Sequence, residues 1–263
     1  MISFVGAGPG APDLITLRGR DRLAGADVVV WASSLVPEAI LAHAAAEAEI
    51  HDSASMTLED VLAVYASAGA ASRVVRLHSG DPSIYGAIGE QIDWCLGNDR
   101  DFEIVPGVSS LAAASAAVGR ELTQPGVAQS VVLTRLAGRT AASMPPGESV
   151  AAFAAHGATM AVFLSAARPV ELGAELLAAG SGYSADTPAA IVVRASWPDE
   201  RVVTTTVGRL ATDLADLGAR TTVLVLVGPA LAGAGGRSHL YSPGFAHMFR
   251  RRSAPGTTAG RPA

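Results

Sequence analysis

Ile2-Ser3-Phe4-Val5-Gly6-Ala7-Gly8-Pro9-Gly10-Ala11-Pro12-Asp13 opens the chain with a short apolar run that breaks into a Gly/Pro loop. The run reads as a buried strand. Beyond the loop, Leu14 to Ala24 carries apolar residues at helical spacing, with Asp13 placed to cap it. Strand, glycine loop and helix in that order make the first half of a βαβ unit, and the pattern recurs. Asp27 to Trp31 is a valine-rich strand, and Pro37 to Ala46 and Leu58 to Ala66 read as helices. The second of these has Thr57 as N-cap and Asp60 at the third helical position of a capping-box-like pattern. Arg73 to His78 is a third strand, ending at Ser79-Gly80-Asp81-Pro82, whose rigid Asp-Pro turn can start a helix. Phe102 to Val105 is a fourth, ending at Pro106-Gly107-Val108-Ser109-Ser110, from which an alanine-rich helix runs to about Val118. This spacing predicts an α/β fold whose mostly parallel sheet is flanked by helices.

The pattern divides the chain into a first α/β domain over 1–118, a linker over 119–127 around Gln124-Pro125-Gly126, and a second α/β domain over 128–232. In the second domain, strand-like runs stand at Ser130 to Thr134, Met160 to Leu164, Ala189 to Arg194, Arg201 to Val207 and Thr222 to Val227. Helices are expected over Pro169 to Ala179 and Gly208 to Leu217. The turn Trp197-Pro198-Asp199-Glu200 between two extended runs predicts a hairpin, and so a mixed sheet. Residues 233–263 form a tail with few core formers, expected to be disordered over Pro255 to Ala263, with Arg250-Arg251-Arg252 as a solvated charge run.

Composition narrows the function classes. Hydrophobic residues make up 49% and aromatic residues 5% of the 263, and 28 glycines suit an α/β protein with tight loops. The net charge of −5 argues against general nucleic-acid binding, which depends on neutralising phosphates. All 19 basic residues are arginine, so Schiff-base chemistry and a P-loop lysine are excluded. The single cysteine, Cys95, excludes an intrachain disulfide and a cysteine-rich metal site. The chain opens directly as a strand without a basic leader, and its apolar runs are far shorter than a membrane span, which predicts a cytoplasmic protein. No metal-ligand cluster and no Ser-His-Asp order stands out.

The first loop admits two readings on its own. Gly6, Gly8 and Ala11 satisfy a relaxed dinucleotide fingerprint, with Asp27 about twenty residues on, which would mean a nicotinamide or flavin enzyme. Pro9 and Pro12 count against that, because they remove amide donors that a pyrophosphate cradle needs. Asp27 also begins the second strand, where a ribose partner would stand at its end. A tight turn without a ligand is the plainer alternative. The three glycine loops together, each at the carboxyl end of a parallel strand, converge on the usual ligand crevice of an open α/β sheet.

In order and spacing, Val5-Gly6-Ala7-Gly8-Pro9-Gly10 with Leu14-Ile15-Thr16, then Ser79-Gly80-Asp81-Pro82, then Pro106-Gly107-Val108-Ser109-Ser110 resemble the tetrapyrrole (corrin/porphyrin) methylase family. The likeness runs from residue 1 to about 230. Trp31-Ala32-Ser33-Ser34-Leu35-Val36-Pro37, His51-Asp52-Ser53-Ala54-Ser55-Met56 and Leu122-Thr123-Gln124-Pro125 look like the branch that methylates carbon 11 of precorrin-4 in cobalamin biosynthesis. Ala32-Ser33 departs from the alanine-glycine more usual there. Neighbouring corrin methylases acting at another ring carbon or on a cobalt-containing intermediate, a siroheme-type bismethylase and a diphthine synthase are the related alternatives. A non-catalytic cofactor-binding module would lack the full second half.

The resemblance implies a homodimeric enzyme that holds S-adenosylmethionine in a cleft between two domains. It implies a cofactor site of Pro9, Gly80, Asp81, Pro82, Ile84, Tyr85, Ser109 and Ser110, completed by Leu164, Ala195, Thr222 and Val223. Leu164 read alone is a strand core residue. Asp81 is the acidic residue assigned a functional role, orienting the cofactor or a pyrrole N–H. Ser33, Ser34 and His78 are expected to face the substrate. A polycarboxylate substrate calls for arginine partners, and Arg120, Arg135 and Arg139 are the candidate anchors. The His51-Asp52 pair could be offered as a base, but a surface His-Asp pair is the simpler account.

Overall fold

Strand β1 (Ile2–Gly6) is buried at every residue and pairs in parallel on both sides, with β4 (Val74–His78) and β5 (Phe102–Val105). Outside β4 lie β2 (Val28–Trp31) and β3 (Glu49–Asp52), giving a five-stranded sheet in the order β3-β2-β4-β1-β5. Every pairing in it is parallel. The computed structural model describes residues 1–137, 141–145, 147–233, 235–236 and 238–251. The expected disorder of Pro255 to Ala263, and Arg252 of the arginine run, lie outside the described residues.

Successive residues of β1 serve opposite faces of the sheet, as strand geometry requires. Val5 joins Leu23, Val29, Ile40, Val75, Leu77 and Val105 on one side; Ile2 and Phe4 join Val30, Tyr65, Val74 and Cys95 on the other. Helix α1 (Leu17–Ala24) contributes Leu23 to the first face. Helices α2 (Leu58–Ser67) and α3 (Gly89–Gly97) contribute Tyr65 and Cys95 to the second. Helix α4 (Ser110–Val118) follows β5.

Local sequence explains most of these boundaries and corrects several. The capping box of α2 forms in both directions between Thr57 and Asp60. Helix α1 begins later than its apolar spacing suggests: Thr16, not Asp13, caps it, accepting from the Gly19 N–H at 3.1 Å. Pro12–Leu14 forms a separate 3-10 turn, because Pro12 favours a first helical position but Ile15 is extended. The segment expected as a helix from Pro37 to Ala46 is a 3-10 helix over Glu38–His43. Strand β3 is a further departure, since no strand was expected there. It is a polar edge strand, largely exposed, and lacks the apolar alternation that marks a half-buried strand. Asp81-Pro82 starts no helix; α3 begins only at Gly89, after Tyr85 and Ala87 take left-handed φ values of 57° and 49°.

Two compact units emerge from the chain. Met1–Val118 forms the first, together with Val192–Val202 and Thr222–Leu224; Gly119–Ile191, Val203–Thr221 and Val225–Ala263 form the second. The remaining strands, β6 (Val131–Arg135), β7 (Thr159–Phe163), β8 (Pro188–Val193), β9 (Arg201–Thr206) and β10 (Val223–Val227), make a second sheet in the order β6-β7-β10-β8-β9. β6 runs parallel to β7 and β10 antiparallel to it, so this sheet is mixed, as the hairpin implied. Helices α5 (Val150–Ala154), α6 (Pro169–Leu176) and α7 (Leu210–Leu217) accompany it. Arg250 is no solvated charge. Its guanidinium donates to the carbonyls of Leu240, Ser242 and Phe245 and gathers the tail around itself.

His78 ends β4 on the same face as Val74, and its ring lies 6.1 Å from that of Phe4. Burial, with the Arg76 guanidinium nearby, pushes its pKa down from 6.5 to about 3. A histidine depressed in the folded state contributes stability above its unfolded pKa and loses it as pH falls toward the folded value. Between pH 6.5 and 4.5, urea unfolding free energy should fall by roughly 1 kcal/mol per pH unit through this residue. His78→Phe should flatten that slope while leaving the carboxylate-driven loss below pH 4. Equal slopes in the two proteins would refute the assignment.

Candidate functional site

Parallel strands bring all their carboxyl-end loops to one edge of the first sheet. Three of these loops touch through glycine backbone. A Cβ built on Gly6 would stand 2.6 Å from the Gly80 carbonyl oxygen, and one on Gly107 would stand 2.7 Å from the Gly6 Cα. Neither distance admits a side chain, so both positions require glycine. Gly80, at φ 67°, exchanges hydrogen bonds with Gly8: its N–H donates to the Gly8 carbonyl at 2.8 Å, and it accepts the Gly8 N–H at 3.3 Å. The result is a floor of backbone at the ends of β4, β1 and β5.

Asp81 ties two of these loops together. One carboxylate oxygen accepts the Gly107 N–H at 2.8 Å; the other accepts the N–H and hydroxyl of Ser83. Burial opposes ionisation of this carboxyl, but the bonds from Ser83 and Gly107 outweigh it and hold its pKa below the ordinary value. Both oxygens are therefore occupied by the protein's own donors, and Asp81 positions loops rather than standing free as an acid. Beside it, Tyr85 is about half exposed in its left-handed conformation. Ile84 N–H closes the turn onto the Asp81 carbonyl at 3.2 Å. Ser109 caps α4, its hydroxyl accepting from the Leu111 N–H at 3.3 Å, with Ser110 as the first helical residue.

The loops after β2 and β3 meet at the same edge. Asp52 accepts the N–H of Ser33 at 3.0 Å and of Ala54 at 2.9 Å, and these bonds lower its pKa. Ser53 donates its hydroxyl to the Trp31 carbonyl at 2.8 Å and receives Arg76 Nη1 at 2.6 Å. Ser33 and Ser34 are exposed beside this junction. His51 and Asp52 do not pair with each other. As neighbours in a strand they point to opposite faces, and His51 Nε2 meets Glu49 at 2.9 Å instead. His78, nominated to face the substrate, is buried in the core, and its Nε2 has no hydrogen-bond partner.

From the later part of the chain, Ala195, Thr222 and Val223 group with the first unit. The Arg194 N–H donates to the Thr222 carbonyl at 2.8 Å and so sets Ala195 beside the start of β10. Leu164 belongs to the second unit; it is 68% exposed with φ 52°, just beyond the end of β7, and is not a strand core residue. Arg120 and Arg135 also belong to the second unit. Arg120 donates to the carbonyls of Leu231 and Gly119, and Arg135 to the Ser143 hydroxyl. Arg139 lies outside the described residues.

Backbone strain marks the same places. Among the described residues, the non-glycine positions with left-handed φ are Tyr85, Ala87, Asp99, Leu164, Arg194, Ser196 and Thr222. All but Asp99 are nominated residues or lie within two positions of one. Such conformations persist where surrounding structure over-determines them, typically at ligand sites. Asp27, the acid of the dinucleotide reading, sits at the amino end of β2, where Arg73 Nη2 stands at 2.9 Å and holds its carboxyl well down. That is the end of the sheet opposite the glycine loops. Asp52 and Ser53 were read from the sequence only as part of a loop, not as the groups that bind it, and the bonds of Ser196 and Trp197 to the first loop were not foreseen.

Residues 1–211 match the family model described as tetrapyrrole (corrin/porphyrin) methylases. This chain belongs to that family. It is 45% identical to a precorrin-4 C(11)-methyltransferase from a Sinorhizobium species, over 95% of this chain and 98% of that one. Among solved structures it is similar to a cobalt precorrin-4 methyltransferase of cobalamin biosynthesis, with a TM-score of 0.83 and 42% identity over 88% of this chain and 95% of the other. It is also similar to the uroporphyrin-III C-methyltransferase from Thermus thermophilus complexed with S-adenosylhomocysteine, at a TM-score of 0.72 and 29% identity, covering 88% and 99% of the two chains. Among the described residues of this family member, no helix is long and apolar enough to cross a membrane, and no cluster of histidine, cysteine and acidic residues could hold a metal.

Two substitutions test the glycine floor and its tie. Gly107→Ala forces its methyl against Gly80 and Gly6 and should lower stability by about 2 kcal/mol or more, read by chemical denaturation. Asp81→Ala frees the Gly107 N–H and should lower stability by about 1–3 kcal/mol in the same measurement. Asp81→Asn, which keeps an acceptor, should lose less. Unchanged stability in Asp81→Ala would remove Asp81 as the tie between the two loops.

Proposed function

We propose that this chain is an S-adenosylmethionine-dependent C-methyltransferase of cobalamin biosynthesis that methylates carbon 11 of precorrin-4 to give precorrin-5. The observation that carries the reading is 45% identity, nearly end to end, with a protein named for that reaction. The two loops that distinguish this branch, 31–37 and 51–56, are bound to one another through Asp52 and Ser53 at the carboxyl edge of the first sheet. They stand at the same edge as the glycine floor.

The residues at that edge fit the cofactor. A floor of backbone packed too closely to admit a Cβ at Gly6 or Gly107 suits a ligand taken mainly by main-chain and apolar contacts. Pro9, Gly80, Asp81, Pro82, Ile84, Tyr85, Ser109 and Ser110 would hold it there, with Ala195, Thr222 and Val223. When bound, S-adenosylmethionine supplies an electrophilic methyl group on a sulfonium ion. The protein's task in such a displacement is alignment of an electron-rich ring carbon with that methyl, which asks for rigid positioning rather than a strong acid or base. The chain matches this demand. Asp81 fixes the glycine loops, Asp52 fixes the loop of Ser33 and Ser34, and the depressed pKa of His78 keeps that ring neutral in the core.

The cobalt complex of the same intermediate is a second reading, favoured by the solved structure named for cobalt precorrin-4. A cytoplasmic homodimer goes with either reading, and light scattering of the purified protein checks the dimer. The deciding experiment is isothermal titration with S-adenosylhomocysteine, with NADH as control. Micromolar binding of the first alone, about −8 kcal/mol, is expected. Turnover of metal-free precorrin-4 and its cobalt complex, supplied separately, then assigns the acceptor. Binding of NADH instead would return the Gly6-to-Asp13 loop to the dinucleotide reading.

A further inference from the structure

Gly10 lies between two residues whose backbone polar groups are both bound by one distant segment. The indole Nε1–H of Trp197 donates to the Pro9 carbonyl at 3.0 Å, and the Ala11 N–H donates to Ser196 Oγ at 2.9 Å. The two bonds span 188 and 185 positions of sequence, yet both ends fall in the first unit. A Cβ on Gly10 would stand 2.5 Å from Trp197 Nε1, so the indole occupies the space that a side chain would need. The Arg194 guanidinium stacks on the same indole, 3.8 Å from its ring centroid.

The segment that delivers these groups is held in a disfavoured shape. Arg194 and Ser196 have φ values of 50° and 65°, the left-handed region that residues with a side chain avoid. Surrounding bonds impose it: the Ser196 N–H donates to Glu200 Oε2 at 2.6 Å, Arg194 Nε to Asp199 at 2.7 Å, and the Arg194 N–H to the Thr222 carbonyl at 2.8 Å. Short two-residue hairpins use left-handed residues to make the turn itself, but here seven residues, Arg194 to Glu200, connect β8 to β9. This segment places a hydroxyl and an indole N–H on either side of Gly10, a loop residue with no side chain of its own to restrict it.

We propose that Ser196 and Trp197 are positioning residues for S-adenosylmethionine, acting through the backbone of Pro9, Gly10 and Ala11. The inference rests on the methyltransferase reading above. By tying both neighbours of Gly10, the pair orders the loop before any ligand arrives, so binding does not bear the entropy of ordering it. The effect belongs to cofactor affinity and not to the chemical step.

The test compares Trp197→Phe, which keeps an aromatic ring but loses the donor, and Ser196→Ala with the unaltered full chain. Each variant should bind S-adenosylhomocysteine about five- to tenfold more weakly by titration, the loss of one hydrogen bond. Its KM for S-adenosylmethionine should rise in step, with kcat at saturating cofactor and KM for the tetrapyrrole within about twofold. Gly10→Ala should weaken binding further, and Trp197→Ala in the same chain should remove most of that added loss, because the methyl then has room. Unchanged affinity in both single variants, beside normal binding by the unaltered protein, overturns the pair's role. So does a loss confined to kcat. Absence of binding by the unaltered protein would overturn the methyltransferase reading, and this inference with it.

Discussion

The contact of Gly6, Gly80 and Gly107 at the carboxyl ends of β1, β4 and β5 is the constraint on which the rest of the site depends. Three loops from neighbouring parallel strands approach so closely that no Cβ fits at Gly6 or Gly107, and the Gly8 and Gly80 backbones complete each other's hydrogen bonds. Backbone groups that meet one another in this way leave a surface of main chain rather than side chains. Such a surface offers a ligand shape and apolar contact rather than a row of N–H donors. This is why the first loop can carry Pro9 and Pro12, residues that would spoil a phosphate cradle built from N–H donors.

Side chains around this floor serve mainly to hold loops. Asp81 bonds the third loop to the second, Asp52 bonds the loop after β2 to the loop after β3, and Ser196 with Trp197 bonds the first loop to the segment after β8. Each acceptor carboxylate takes backbone N–H donors, which favours its charged form and lowers its pKa. Chemistry whose driving force comes with the cofactor places its demand on geometry. Left-handed backbone recurs at Tyr85, Leu164, Arg194, Ser196 and Thr222, conformations that persist only where the surrounding structure imposes them.

Much of the first sheet was legible because its strands are short, apolar and separated by glycine loops. Val28 to Trp31 is buried at every residue and reads as a continuous apolar run, and Val74, Val75 and Leu77 mark β4 despite Arg76 between them. β3 was illegible for the opposite reason: an exposed edge strand of Glu49, Ile50, His51 and Asp52 has no burial to pattern it. His78 misled for a third reason. Its place at a strand end beside a ligand loop suggested substrate contact, but the alternation that puts Val74 in the core puts His78 there too.

By itself, the sequence determined the parallel α/β order of the first half, the three glycine loops, the family and the two loops that mark its branch, because each of these is written in contiguous residues. Only the tertiary structure decided what those residues do to one another. The engagement of both Asp81 oxygens, the parting of His51 from Asp52 and the use of Arg120 on carbonyls all depend on partners brought in by folding. The indole of Trp197 reaches Pro9 across 188 positions because the chain returns to the first unit over Val192–Val202. Local patterns record burial and backbone permission, whereas a hydrogen bond between distant segments leaves no periodicity in either one.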